Sequence, residues 1–191
     1  ADIKHIDAIL FTHAHADHVH GIDDLRWINV VMHQPINIYA SAETIQTLEQ
    51  RFAYALQPLA EGVDFYYKPV HQIDGHLDIG GVPIKVFPQD HGFCESLGFR
   101  VGNFAYSTDV VNLPEYSHQF LYDLDVWVVD CMRLTPHATH AHLEKVMGWV
   151  DEFKPRQVYF THMSIQVDYD QINDMTPHHV GPAYDGLIIE V

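Results

Sequence analysis

The feature that most constrains this chain is the text Thr12-His13-Ala14-His15-Ala16-Asp17-His18, set directly behind the apolar run 6–11 (IDAILF). The run reads as a buried strand that delivers the following loop to one edge of a sheet. Histidines two apart on an extended segment project to the same side, and Asp17 and His18 follow where the chain turns. Such a set can offer two donors to one ion and two to a neighbour, because imidazole and carboxylate both suit divalent metals. A core histidine accounts for one such residue. It does not account for four within six positions. The chain as a whole agrees, holding 16 histidines against two cysteines, and histidine is the commonest metal ligand.

Further along, residues 36–40 (INIYA) predict a second strand, and Ser41 predicts the cap of a helix over 43–56 with Glu43 in its first turn. Residues 63–70 alternate and are rich in aromatics, as strands are. Two hairpins follow: 77–79 and 82–87 flank Gly80-Gly81, and 97–101 meets 104–107 across Gly102-Asn103. The run 125–130 (DVWVVD) reads as a buried strand. Leu143, Val146, Met147, Val150 and Phe153 fall on one helical face, and 158–160 and 187–191 read as closing strands. Most prolines fall near element ends. The reading is α/β with a mixed sheet, one domain over residues 1–191.

Composition removes several classes. Asp and Glu outnumber Lys and Arg by 26 to 10, a formal charge of −16, which opposes a nucleic-acid-coating surface. No apolar run approaches the roughly 18 residues that span a bilayer. Cys94 and Cys131 are too few for a disulfide framework, so a cytoplasmic setting is expected. The chain starts at Ala1 without a Met, as a processed or excised piece would.

The H-x-H-x-D-H text resembles the signature of the metallo-β-lactamase-fold hydrolases. Their later ligands match His91 in Gln89-Asp90-His91-Gly92, Asp109 in Ser107-Thr108-Asp109, and His162 in Phe160-Thr161-His162. The resemblance implies an αββα sandwich with its site at one edge of two sheets. Members of the family carry N-terminal strands ahead of this motif that are absent here, so missing N-terminal sequence or an incomplete sheet is expected. The resemblance would place His13, His15 and His91 on one metal and Asp17, His18 and His162 on another, with Asp109 bridging. The ions would be Zn or Mn, with Fe also admissible. β-Lactamases proper carry Cys where Asp109 stands, and redox di-iron members carry Glu at the position of His15, so neither subgroup matches. Thioesterase members such as glyoxalase II share the first motif, but their later ligand spacings differ. The phosphoribosyl cyclic phosphate phosphodiesterases (PhnP-like) are more similar. They continue into a glycine and a Leu-Arg pair, as in Gly21-Ile22-Asp23-Asp24-Leu25-Arg26-Trp27. They also carry a histidine 22 residues before the last ligand, here His140, expected to open the helix 143–153. Tyr184-Asp185-Gly186 resembles the same subgroup.

The function implied is a binuclear metal-dependent phosphodiesterase acting on small cyclic or nucleotide-like diesters through a metal-bridging hydroxide. Asp17 and His140 are its catalytic candidates, His140 serving the leaving oxygen. His140, His20, Arg26 and His178 are candidate substrate contacts. Alternatives are a tRNA 3′-processing endonuclease, a thioester or lactone hydrolase of the same fold, and a silent nucleotide-binding module. Expected partners are a small phosphodiester or nucleotide, with no membrane, no nucleic acid and a homodimer admissible. His5, His33, His71, His76 and His118 read as surface residues, Cys131 as a buried hydrophobe, and Phe93, Met163 and Trp27 as core packing.

Overall fold

In the computed structural model, which describes residues 3–56 and 70–190, the opening apolar run becomes the strand β1, Ala8–Leu10. Phe11 continues its pairing by donating its N–H to the Tyr39 carbonyl at 2.9 Å. The chain then turns through α1 (Ala16–Val19), a 3-10 turn over His20–Asp23, and α2 (Leu25–Met32). β2 (Asn37–Ala40) runs parallel to β1. Ser41 caps α3 (Ala42–Arg51) as expected, its hydroxyl accepting the Thr44 N–H at 3.2 Å. The helix expected through residue 56 is broken: Phe52 leaves helical geometry at φ −127°, ψ 31°, and α4 (Ala53–Leu56) follows as a separate turn. β3 (Val70–Gln72) pairs parallel to β2, for the order β1-β2-β3. The strand expected over 63–70 falls, except for Val70, outside the described residues.

The chain divides into two compact units, Ala1–Val82 and Pro83–Val191. In the first, Ile38 and Ala40 point inward from alternate positions of β2 and meet Phe11, Val19, Ile22 and Leu48. The end of β1 and the turn carrying the histidine motif are thereby fixed on an apolar bed.

β4 (His76–Ile79) leads through Gly80-Gly81 into β5 (Val82–Asp90). Both glycines have positive φ, 61° and 85°, the conformation a two-residue hairpin turn of this hand requires. β5 pairs antiparallel with β6 (Glu95–Val101), and β6 antiparallel with β7 (Phe104–Ser107) across Gly102-Asn103. After α5 (Glu115–His118), β8 (Val126–Asp130) pairs parallel to β7. α6 (Leu143–Phe153) lies at its expected bounds and crosses to β9 (Gln157–Thr161), parallel to β8. α7 (Tyr169–Met175) leads to a last parallel strand, β10 (Val180–Pro182). In this unit the strand order is β10-β9-β8-β7-β6-β5. β8 is nearly continuously apolar because both its faces are covered, the usual state of a parallel strand. Trp127 is fully buried and donates its indole N–H to Ser107 Oγ at 3.0 Å.

Two sequence readings are corrected here. Residues 187–190, expected as a strand, form none. Leu187 instead donates its N–H to Tyr184 O in a turn, and the edge position beside β9 belongs to β10. Trp27 and Phe93, expected in the core, are 72% and 92% exposed, whereas Met163 does pack against the core. Among the described residues, no helix is long and apolar enough to cross a membrane.

Gly98 fixes how closely β6 packs on its neighbours. A Cβ there would stand 2.2 Å from Phe87 Cε2 and 2.7 Å from Gln89 Oε1, well inside van der Waals contact. Gly98→Ala is expected to destabilise the fold by about 1–3 kcal/mol or more, the cost of overpacking a filled interior. An unchanged urea midpoint for that variant would show that the Phe87 ring can yield.

Candidate metal centre

Strand direction explains why the ligand-type residues of the second unit gather. β5 and β7 are each antiparallel to β6, and β8 and β9 are parallel to β7. The C-terminal ends of β5, β7, β8 and β9 therefore share one edge. His91 directly follows β5, Asp109 comes two residues after β7, Asp130 ends β8, and His162 directly follows β9. Asp109 and His162 both sit in the left-handed region, at φ 51° and 57°, which residues with a Cβ rarely adopt and which tends to mark functional turns.

The buried Asp109 carboxylate faces two imidazoles at once. Oδ2 is 3.4 Å from His91 Nε2 and Oδ1 is 3.3 Å from His162 Nε2. Thr108 Oγ1 donates to Oδ1 at 2.8 Å, and Ser96 Oγ donates to the Asp109 carbonyl at 2.8 Å. Gln89 holds that turn from beneath, donating to Ser96 Oγ and Thr108 O at 3.0 Å each. His91 Nδ1 lies 2.7 Å from the Thr139 carbonyl. A carbonyl only accepts, so Nδ1 carries the proton, and in the neutral tautomer this leaves the Nε2 lone pair toward Asp109. Lone pairs facing carboxylate oxygens suit a shared cation, and a backbone carbonyl behind the ligating ring is the usual support of a metal-binding histidine. The donor set fits a divalent metal.

His140 stands beside this group. Its ring stacks on His162 at 4.8 Å and 12°, and meets His91 edge-on at 4.8 Å. Donor atoms of Asp109, His140 and His162 lie within 4.8 Å of one another. His140 Nδ1 is 2.8 Å from Asp130 Oδ2, which also accepts the Val110 N–H at 3.1 Å. Burial pushes the Asp130 carboxyl upward, opposed by its hydrogen bond with His140. The bond to Asp130 thus engages the Nδ1 side of the His140 ring. One reading is corrected: His140 does not open α6, whose N-cap is His142, but lies in the loop before it. Asp130 was missed in the sequence. Its signal was an acid at the end of an otherwise apolar strand.

In the first unit, the motif residues form their own cluster in the loop after β1 and on α1. The His13 ring lies 4.5 Å from that of His15 and 4.4 Å from that of His18. His13 is buried with Nδ1 3.0 Å from Thr12 Oγ1, while His15 and Asp17 are exposed. Asp17 Oδ2 lies 3.4 Å from His18 Nε2. Arg51 of α3 donates to the Ala14 carbonyl at 2.9 Å and anchors the loop.

The remaining candidates are placed as follows. Exposed His20 meets Phe52 edge-on at 6.0 Å, Arg26 pairs with Asp23 at 3.7 Å, and His178 packs on His179 at 5.4 Å in the turn before β10. Cys131 is buried, which pushes its thiol up to about 12. It is not a nucleophile at neutral pH.

Comparison with known proteins agrees with this geometry. The family model of the beta-lactamase superfamily domain matches residues 1–163. A crystal structure of a diphosphatase from the PhnP family shares 31% identity, covers 99% of this chain and 73% of that one, and superposes with a TM-score of 0.90. Human tRNase Z, short form, matches at TM-score 0.68 with 18% identity over 97% of this chain and 79% of that chain, a likeness of fold alone. An octanoyltransferase of Porphyromonas gingivalis (strain ATCC BAA-308 / W83) is 24% identical over 98% of this chain but only 38% of its own length, so this chain spans well under half of that relative. By the family model and by its likeness to the PhnP-family diphosphatase, the chain belongs to the metallo-β-lactamase superfamily and is a PhnP-like member of it.

Proposed function

We propose that this chain is a binuclear metal-dependent phosphodiesterase acting on small cyclic or nucleotide-like phosphodiesters. The observation that carries the reading is the Asp109 carboxylate, whose two oxygens each face a different imidazole Nε2, at 3.4 and 3.3 Å. In this reading His13, His15 and His91 hold one ion and Asp17, His18 and His162 the other, with Asp109 shared. When bound, the ions supply a water of lowered pKa and positive charge against the phosphoryl oxygens. The chain's own residues do the rest. Asp130 orients His140 through Nδ1, so that Nε2 addresses the leaving oxygen and hands it a proton. Thr139, through His91 Nδ1, fixes the tautomer that exposes a ligating Nε2. The diphosphatase relative supports phosphoryl chemistry, and a chain charge of −16 favours a small diester over a polyanion such as tRNA.

The second reading is a thioester or lactone hydrolase of the same fold. One assay separates them: the metal-loaded protein offered bis-p-nitrophenyl phosphate, a nucleoside cyclic phosphate, an octanoyl thioester and a tRNA precursor. Diester kcat/KM is expected to exceed the others by about two orders of magnitude or more, as expected where binding is realised only in one transition state. Faster thioester cleavage would install the second reading. Faster trimming of a tRNA 3′ trailer would overturn the small-substrate reading.

A further inference from the structure

Trp27 is 72% exposed. It lies on α2, nine residues after His18, and lines a surface cavity of about 390 Å³ with Val30, Asp23, Asp24 and Arg26. Trp27 and Val30 are neighbours one turn apart and form an apolar floor. Asp23 is already engaged: Tyr54 donates its hydroxyl to Oδ2 at 2.5 Å, and Arg26 Nη1 lies 3.7 Å from Oδ1. That hydrogen bond pushes the Tyr54 phenol upward, so it stays a donor. Asp24 is exposed and, once ionised, only accepts hydrogen bonds. Two carboxylates against one guanidinium leave the cavity with a negative excess, which repels a phosphate. A flat face for stacking beside an acceptor-only carboxylate suits a planar heteroaromatic ring that carries N–H donors.

We propose that this cavity is a nucleobase subsite, in which a base with an exocyclic amino group stacks on Trp27 and donates to Asp24. The assignment rests on the nucleotide-like substrate proposed above and names its base-recognising half. The cavity volume lies within the range of small-molecule pockets, and base–aromatic stacking tolerates any base while the carboxylate selects among them.

The probe is adenosine, which has the base and no phosphate, titrated into the metal-loaded full chain by calorimetry and by tryptophan fluorescence. Trp127 and Trp149 are buried, so quenching by solvent-borne adenosine reports Trp27. Saturable binding with quenching is expected. Trp27→Ala should weaken it roughly 5- to 150-fold, the stacking contribution of one base, while Trp27→Phe retains most of it. Asp24→Ala should weaken adenosine but not purine riboside, which has neither an exocyclic amine nor a ring N–H. In turnover, Trp27→Ala should raise KM for an adenosine cyclic phosphate while kcat holds. Absence of saturable adenosine binding, or equal binding by Trp27→Ala, overturns the subsite even if diesters are hydrolysed. Equal loss for adenosine and purine riboside in Asp24→Ala overturns the amino-group assignment. Trp27-dependent adenosine binding without any diester hydrolysis supports the subsite and removes the reaction instead.

Discussion

Replacing Asp109 by alanine is expected to empty both metal positions at once. One carboxylate oxygen faces His91 Nε2 and the other His162 Nε2, so its removal takes a donor from each ion. Elemental analysis of the wild-type chain should find about two ions per chain, and the variant close to none, with loss of diester turnover. A second readout is independent of activity. A metal that binds only the native state stabilises it by about 2.7 kcal/mol at a hundredfold excess over Kd, so a chelator should lower the wild-type Tm and leave that of the variant unmoved. Asp109 holds a φ of 51°, which asparagine tolerates better than alanine. Asp109→Asn therefore separates loss of the negative ligand from strain in the backbone, and should also lose metal. Stoichiometric metal in both variants would exclude a bridging role.

His140→Ala is expected to act differently, leaving metal content intact while cutting kcat by roughly 10²–10⁴, the range of a removed general acid. The Nδ1 side of the ring is committed to Asp130 at 2.8 Å, so only Nε2 can meet substrate. The deficit should shrink for a p-nitrophenyl ester, whose leaving group hardly needs a proton. Asp130→Asn should fall in the same direction with the metal retained, because the histidine remains but its tautomer and orientation are no longer held. Should His140→Ala lose an ion, His140 is a ligand, in keeping with its place within 4.8 Å of the Asp109 and His162 donors. An equal slowing of activated and unactivated esters would make it a stabiliser of phosphoryl charge.

What the sequence determined by itself was local. The apolar run ahead of the H-x-H-x-D-H text marks a strand end with His13 just beyond it, whereas His91 and His162 were legible only through the family resemblance, each after an apolar or alternating run. The Ser41 cap, the Gly102-Asn103 hairpin and the bounds of α6 were legible too, since each depends on residues a few positions apart. α2 was not read, although LRWINVVM carries a strong apolar face at the helical period. The run 187–191 misled in the opposite way: its apolar residues fit a strand, but a strand needs a partner, and the edge of β9 is taken by Val180–Pro182. Only tertiary structure could pair His91 with Thr139, 48 residues away, or His140 with Asp130 across the loop between β8 and α6. Those bonds depend on which strand ends share an edge, a consequence of sheet order. The same holds for Trp27: its composition reads as core, and the packing of α2 leaves it in solvent beside Asp24. Donor identity is written in the chain. Which atom of each donor is free to work is decided by what the fold places behind it.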